Sequence, residues 1–464
     1  MNFNSLSFLF AFLPVFLVAY WFVPVKYRNY ITFAGSIVYY VLGEEASVGV
    51  LGAILAAGYM GGILLEGENG FPPRIRKLTL SISVILIGGT LLLGKANDHV
   101  SPGLSFVVFQ VIAYLVDVYR TEIHCENSMV DYGTYICMFP KLLMGPLVEY
   151  KTIMTELKHP VITREAMEHG AKLFVSGLFC KVLLADRLNM LWNQVLMIGY
   201  ENITTPLAWI CAIAYSLKLY FDFYGYSLMA IGLGNMLGFQ LPDNFHTPYM
   251  AGSVSEFYRR WHITLGNWFK KYVYIPLGGS RHGLFLTLGN LWIVWLLTGF
   301  WHGSNLNFLL WAIFLWCFIS LEKCIQYFLR DTSSQKNKKV GENKRKTIMH
   351  RLTMGVRHLY LWTVIPVSWM FFAITDLQQL KLFLGRMFGL FPAVCSRADD
   401  ALSVLSSFGI LLGVCLVAAS PLPAKIFYRF EHKKWFVMCM AVTFWLCVHS
   451  LIVSGSNPFM YHCF

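Results

Sequence analysis

Apolar residues in this chain gather into long runs separated by short polar, basic or Gly/Pro-bearing stretches. Crossing a ~30 Å hydrocarbon core takes about 20 helical residues. Runs near that length recur from end to end: Leu6–Val23, Ile31–Val41, Ala46–Leu65, Leu78–Leu93, Leu104–Val118, Tyr132–Leu147 and Leu173–Leu184, then Trp209–Leu241, Leu284–Trp301, Leu306–Leu321, Leu359–Phe372, Leu402–Ala419 and Trp435–Ile452. Backbone groups in lipid must be satisfied within helices. The pattern therefore predicts an all-α polytopic membrane protein, residues 1–464 as one membrane domain, with about eleven to thirteen membrane segments.

Several runs carry interruptions. Ile31–Val41 is short, which predicts a tilted segment or one joined to its neighbours. Tyr132–Leu147 contains Pro140, Lys141, Gly145 and Pro146, the mark of a broken or re-entrant segment whose freed backbone groups lie against protein or a water-filled cavity. Lys181, near the end of its run, can snorkel to the interface. Asp222 interrupts Tyr220-Phe221-Asp222-Phe223-Tyr224-Gly225-Tyr226. Facing lipid it would be costly, so it either points into the bundle or a cavity, or pairs along the helix with Lys218 four residues earlier. Phe257, Trp261, Leu265, Trp268 and Tyr272 recur at helical spacing while Arg259, Arg260, Lys270 and Lys271 lie off that stripe. This predicts one amphipathic helix at the membrane surface, ended by Pro276 and Gly278-Gly279.

Composition agrees with a membrane body, with 56% hydrophobic and 16% aromatic residues and a mean hydropathy of +0.55. The net charge of +12 would suit a nucleic-acid binder, but the charges lie in connecting stretches and no nucleic-acid-reading motif accompanies them. Ten Lys/Arg against two acids lie between Lys323 and Arg357, which marks that stretch as a cytoplasmic loop, partly flexible across its apolar-poor part from Asp331 to Arg345. The eleven cysteines form no C-x-x-C pair, and Cys180, Cys211, Cys317, Cys415 and Cys447 fall in apolar runs as buried thiols. Neither a disulfide scaffold nor a metal site is expected. Leu6–Val23 has no basic region before it and no small-residue cleavage site after it, so it reads as a first membrane helix with its N-terminus outside.

Candidate chemistry concentrates between Asp243 and Asn307. His262 sits in Arg259-Arg260-Trp261-His262, and His302 sits in Phe300-Trp301-His302-Gly303 at the end of an apolar span. A neutral imidazole can take a proton from a hydroxyl while that oxygen attacks a carbonyl, and its unperturbed pKa lies close to working pH. An isolated membrane histidine is often a packing residue. Two of them bracketing one crossing, one beside a double arginine, favour a functional path. Asp222, with Arg259, Arg260, Trp261 and Trp301, completes the substrate-binding candidates on this stretch and beside it.

Tyr258-Arg259-Arg260-Trp261-His262-Ile263-Thr264-Leu265, Tyr274-Ile275-Pro276-Leu277-Gly278-Gly279 and Phe300-Trp301-His302-Gly303 together resemble the membrane-bound O-acyltransferase family, in its alginate O-acetyltransferase-like bacterial branch. Further matches lie at Phe109-Gln110, Tyr114 to Arg120, Phe139-Pro140, Gly145-Pro146, Ala185-Asp186, Asp222-Phe223 with Gly225-Tyr226-Ser227, Asn244-Phe245, through which Asn244 joins the candidate substrate-binding residues, and Asn457-Pro458-Phe459. The resemblance implies that His302 is the catalytic histidine and His262 a second functional position. It implies a central tunnel between a cytoplasmic donor side and an extracytoplasmic acceptor side in a bacterial inner membrane. It implies an acyl thioester co-substrate such as acetyl-CoA with no tightly bound cofactor, and as partners the lipid bilayer, an extracytoplasmic acetyl-carrier protein and a glycan synthase complex. The alternatives are D-alanyl transfer to teichoic acid and a non-enzymatic polysaccharide export component.

The basic stretch generates a direct check of orientation. In a cysteine-free background, Ser334→Cys is expected to react with a membrane-impermeant thiol reagent only after the cytoplasmic side is opened. Labelling from the extracytoplasmic side alone would reverse the topology.

Overall fold

The computed structural model describes residues 1–43, 47–67, 71–96, 103–333, 344–393, 399–455 and 457–459. Among these residues there is no strand, only an isolated bridge between Phe245 and Trp261. The first third of the chain forms α1 (Leu13–Phe22, continuing a π-helical turn at Phe8–Phe12), α2 (Arg28–Val41), α3 (Val48–Leu65), α4 (Pro73–Ala96), α5 (Leu104–Tyr119), α6 (Met129–Cys137), α7 (Phe139–Leu142) and α8 (Tyr150–Lys158). The middle third forms α9 (Arg164–Phe179), α10 (Asp186–Ile198), α11 (Thr205–Met236), α12 (Val254–Arg260), α13 (Ile263–Phe269) and α14 (Gly283–His302). The last third forms α15 (Leu306–Ser333), α16 (Lys344–Ala373), α17 (Leu377–Met387), α18 (Asp400–Ala418), α19 (Leu422–Phe430) and α20 (Lys434–Ser454).

Six described helices are long and apolar enough to cross a bilayer, namely α3, α4, α14, α15, α18 and α20, with shorter apolar helices at Phe8–Phe22 and Leu104–Tyr119. The expected basic loop is shorter than the charge pattern suggests. Lys323 lies on α15, which runs to Ser333, and Lys344 to Arg357 lie on α16, while residues 334–343 fall outside the described ones. A helix can carry basic residues past the apolar core into the headgroup region, so charge marks the interface better than it marks a helix end.

The backbone groups into two compact units, 1–183 with 221–243 and 429–464, and 184–220 with 244–428. In the first, the broken segment follows expectation. α6 stops at Cys137, the Phe139 amide opening α7 donates to Ser36 Oγ at 2.9 Å, and Lys141 is fully buried with Nζ donating to Gln110 Oε1 over the face of Tyr135. Protein groups cover the freed polar atoms, as a low-dielectric setting requires.

Asp222 takes the first of its two expected settings, pointing into the bundle, and Lys181 departs from its expected one. Lys181 does not snorkel: its Nζ lies 2.7 Å from Asp222 Oδ1, with both side chains only 2% exposed. The intrahelical Lys218 is not needed for this pairing, and Lys218 lies over the Tyr215 ring. Helix approach explains the choice. A Cβ on Gly177 would fall 2.4 Å from the Gly225 carbonyl oxygen, and one on Gly170 would fall 2.4 Å from that of Gly232. Two glycine pairs, each seven residues apart, thus let α9 and α11 touch backbone to backbone. The lysine just beyond α9 then reaches the acid across the helices. The segment 457–459 completes the site, since Lys181 Nζ also donates to the Pro458 carbonyl at 3.1 Å and lies over the Phe459 ring. Phe459 packs edge-on against Tyr226, which also stacks on Phe3, and Asn4 Nδ2 donates to the Asn457 carbonyl at 2.9 Å.

The cysteines divide. Cys180, Cys211, Cys415 and Cys447 are buried as expected, whereas Cys317 is exposed on α15. An apolar run places a thiol in a helix without saying which face it takes.

Removing one partner of a buried ion pair costs about 3–5 kcal/mol, whereas replacing both by apolar groups is often neutral. Asp222→Ala is therefore expected to lower folded yield and thermal stability in detergent, and Lys181→Met with Asp222→Leu to recover much of both. An Asp222→Ala protein of normal stability that has lost only turnover would move Asp222 into the reacting group.

Candidate active site

Both histidines belong to the second unit. The stretch that spacing predicts as one amphipathic helix is two short ones. α12 ends at Arg260, Trp261 is extended (φ −106°, ψ 126°), His262 takes the left-handed conformation (φ 47°, ψ 54°), and α13 starts at Ile263. A non-glycine residue held there costs on the order of 1–3 kcal/mol, and such strain gathers at functional sites when the surroundings fix it. Here the segment 244–246 fixes it. The His246 amide donates to the Arg260 carbonyl and the Ile263 amide to the Asn244 carbonyl, each at 2.9 Å. The apolar stripe survives the break because Phe257, Trp261 and Leu265 are all buried. These three face protein, so the apolar stripe packs inward.

The Asn244 side chain meets the imidazole directly. Its Oδ1 lies 3.0 Å from His262 Nδ1 and 2.9 Å from Thr264 Oγ1, and the Thr264 amide donates to the same oxygen at 3.3 Å. The start of α12 is tied down by Glu322 of α15, whose two carboxylate oxygens accept the Val254 and Ser255 amides at 2.6 and 2.9 Å while Tyr360 Oη donates at 3.0 Å. Sequence reading did not single out Glu322. Its sign is an acid immediately after a long apolar run.

His302 is the last residue of α14 and is buried. Its ring lies 4.4 Å from Trp301, 5.0 Å from Trp311 and 4.9 Å from Phe372, centroid to centroid, the last two edge-on. Gly303 permits this setting. A Cβ there would come within 2.4 Å of the Phe308 ring, and one on Gly299 within 2.9 Å of Ala312 Cβ. The Trp301 ring stands 6.2 Å from His262, so both imidazoles border one indole. Trp261 meets Trp369 at 5.1 Å and Trp369 meets Trp311 at 6.1 Å, giving an aromatic path from the His262 segment to the His302 ring. Phe308 and Trp311 on α15, with Trp369 and Phe372 on α16, are site residues that sequence reading missed. Each pair sits at i, i+3 on one helix face, but a chain with 14 Trp and 37 Phe offers many such pairs.

The electrostatics favour uncharged chemistry at His262. Burial pushes its imidazole down to about 3, so the ring is neutral at ordinary pH. Arg260 pairs with Glu256 one helical turn back, while Arg259 is exposed. Burial opposes ionisation of Glu256, but the Gly252 amide and the Arg260 and Arg259 guanidiniums outweigh it and hold the carboxyl below its usual range. Of the candidate residues, the structure brings together His262, Asn244, Trp261, Trp301 and His302. It gives Arg260 a bracing role and puts Asp222 in the first unit with Lys181.

Comparison with known proteins gives a consistent set of relatives. Residues 106–375 match the profile of the membrane-bound O-acyltransferase family. The chain is 32% identical over 414 residues to a probable alginate O-acetylase of Pseudomonas fluorescens, covering 88% of this chain and 78% of that one. It is 28% identical over 461 residues to a peptidoglycan O-acetyltransferase of Helicobacter pylori, covering 87% and 83%. A teichoic acid D-alanyltransferase of Streptococcus thermophilus is 24% identical over 261 residues, covering 53% and 60%.

The tight fit at Gly303 yields a test of how His302 is held. Forcing an extra methyl into a packed site costs about 1–3 kcal/mol, so Gly303→Ala is expected to lower thermal stability and disturb the His302 ring. Adding Phe308→Leu should restore part of the loss. Equal stability of Gly303→Ala and the parent protein would show that the ring yields freely.

Proposed function

The chain belongs to the membrane-bound O-acyltransferase family, a multi-pass membrane enzyme of acyl transfer, and from that premise we propose that it moves an acetyl group from a cytoplasmic acyl thioester, acetyl-CoA, to a hydroxyl on the extracytoplasmic side. The acceptor is an exopolysaccharide or cell-wall glycan, reached directly or through a carrier protein's serine. The names of the relatives that align over most of the chain, for alginate and for peptidoglycan, support a cell-envelope polysaccharide. The D-alanyltransferase relative aligns over about half, which favours acetyl over D-alanyl. The reading includes eleven to thirteen membrane segments around a central tunnel, in a bacterial inner membrane, working with an extracytoplasmic acetyl-carrier and a glycan synthase complex.

The observation that carries the reading is the pair of buried imidazoles bordering Trp301. In the reaction, His302 takes the hydroxyl proton as the oxygen attacks the thioester carbonyl. A C–O bond forms, the C–S bond breaks, and the departing thiolate receives a proton, leaving an ester and a free thiol. His262, uncharged, positions the thioester or passes that proton. The aromatic walls exclude bulk water, which would otherwise compete as the acceptor. A neutral base of near-neutral affinity suits a hydroxyl nucleophile better than a buried carboxylate does.

Loss of a general base typically costs ~10²–10⁴ in rate. Purified protein in lipid, given labelled acetyl thioester and its acceptor partner, is expected to lose detectable transfer as His302→Ala while staying folded. His262→Ala should lose less. Full activity in His302→Ala would remove the central residue and revive the export-component reading.

A further inference from the structure

The contacts around Asn244 decide where the proton of His262 sits. A backbone amide can only donate, so the Asn244 atom facing the Thr264 N–H is the carbonyl oxygen. The Thr264 hydroxyl at 2.9 Å and the imidazole Nδ1 at 3.0 Å approach that same oxygen. An amide oxygen carries no proton, so Nδ1 must supply one. In a neutral ring Nε2 is then the nitrogen with the lone pair. The strained backbone at His262 and the bridge to 244–246 hold ring and amide in register.

We propose that Asn244 is a positioning residue, oriented by Thr264, that locks His262 as the Nδ1–H tautomer and so presents Nε2 as a proton acceptor in the site. Thr264 supplies two donors to one end of the amide, its backbone N–H and its hydroxyl, and so sets which end faces the ring. Burial keeps the ring neutral, so the tautomer matters in a way it would not for an imidazolium. With the proton on Nε2, the ring could no longer receive one from a hydroxyl or a thiol in the site. The tautomer assignment stands on geometry alone, whereas its consequence for turnover rests on the acyl-transfer reading.

The test is nitrogen-15 magnetic resonance of the full-length protein in lipid with ring-labelled histidine, the His262 signals being identified by their loss in His262→Gln. At neutral pH the parent protein is expected to show a protonated Nδ1 and an unprotonated Nε2. Asn244→Ala removes the acceptor, so the proton should move to Nε2 in a large share of molecules. The rate kcat should then fall about tenfold or more with KM little changed. Asn244→Asp, which can only accept, should keep the parent tautomer, and Thr264→Val should fall between, which covers the case of an Asn244 variant that folds poorly. A parent spectrum with the proton on Nε2, or an unchanged tautomer in both Asn244→Ala and Thr264→Val, overturns the assignment. A shifted tautomer with unchanged kcat overturns the positioning role. The expected spectra in a protein that transfers no acetyl would leave the assignment standing and count against the acyl-transfer reading.

Discussion

Taking a polar or charged group out of water is the costliest local event in an apolar protein body, and the internal structure here follows from meeting that cost group by group. Lys181 and Asp222 meet it by pairing, Lys141 by an amide and an aromatic face, and the amides of Val254 and Ser255 by the Glu322 carboxylate. His262 meets it by giving up its charge. Each solution requires a particular neighbour at hydrogen-bond distance. The helices are therefore positioned by a few polar contacts inside a surface that lipid alone would leave free to slide.

The glycines make those contacts reachable. Gly170, Gly177, Gly225 and Gly232 let two helices meet at the backbone, and Gly299 with Gly303 does the same where α14 turns toward α15. In lipid there is little hydrophobic drive to bring helices together, so close approach and side-chain hydrogen bonds carry more of the burden. The same close approach encloses the His302 ring among Trp301, Trp311 and Phe372, where its position is set by packing on several sides.

What could be read from the sequence was whatever is local along the chain. Apolar runs gave helices, and α14, α18 and α20 lie within a few residues of their runs. The two histidines and their aromatic neighbours stood out because Trp261-His262 and Trp301-His302 are adjacent in sequence. Partners distant in sequence were not legible. Asp222 reads naturally against Lys218, one turn away, and only the glycine-mediated contact of two helices reveals Lys181. The break at His262 was hidden because the residues before and after it keep a helical spacing of bulky side chains. Periodicity reports which side is apolar and is blind to a single residue with a left-handed backbone. Trp369 was invisible for a simpler reason: nothing in a line of residues says that α16 folds back onto α14 and α15.

The docking of Asn457-Pro458-Phe459 onto Lys181 has a consequence for biogenesis. A membrane protein is threaded into the bilayer while it is being made, so the buried Lys181, just beyond α9, and Asp222 of α11 enter long before residues 457–459 exist. Through most of synthesis that pair lacks its aromatic cover and its carbonyl acceptor. They arrive only with residues 457–459. Docking of this segment therefore separates molecules that carry residues 457–459 from those that stop before them, through the packing of a few residues around one buried ion pair.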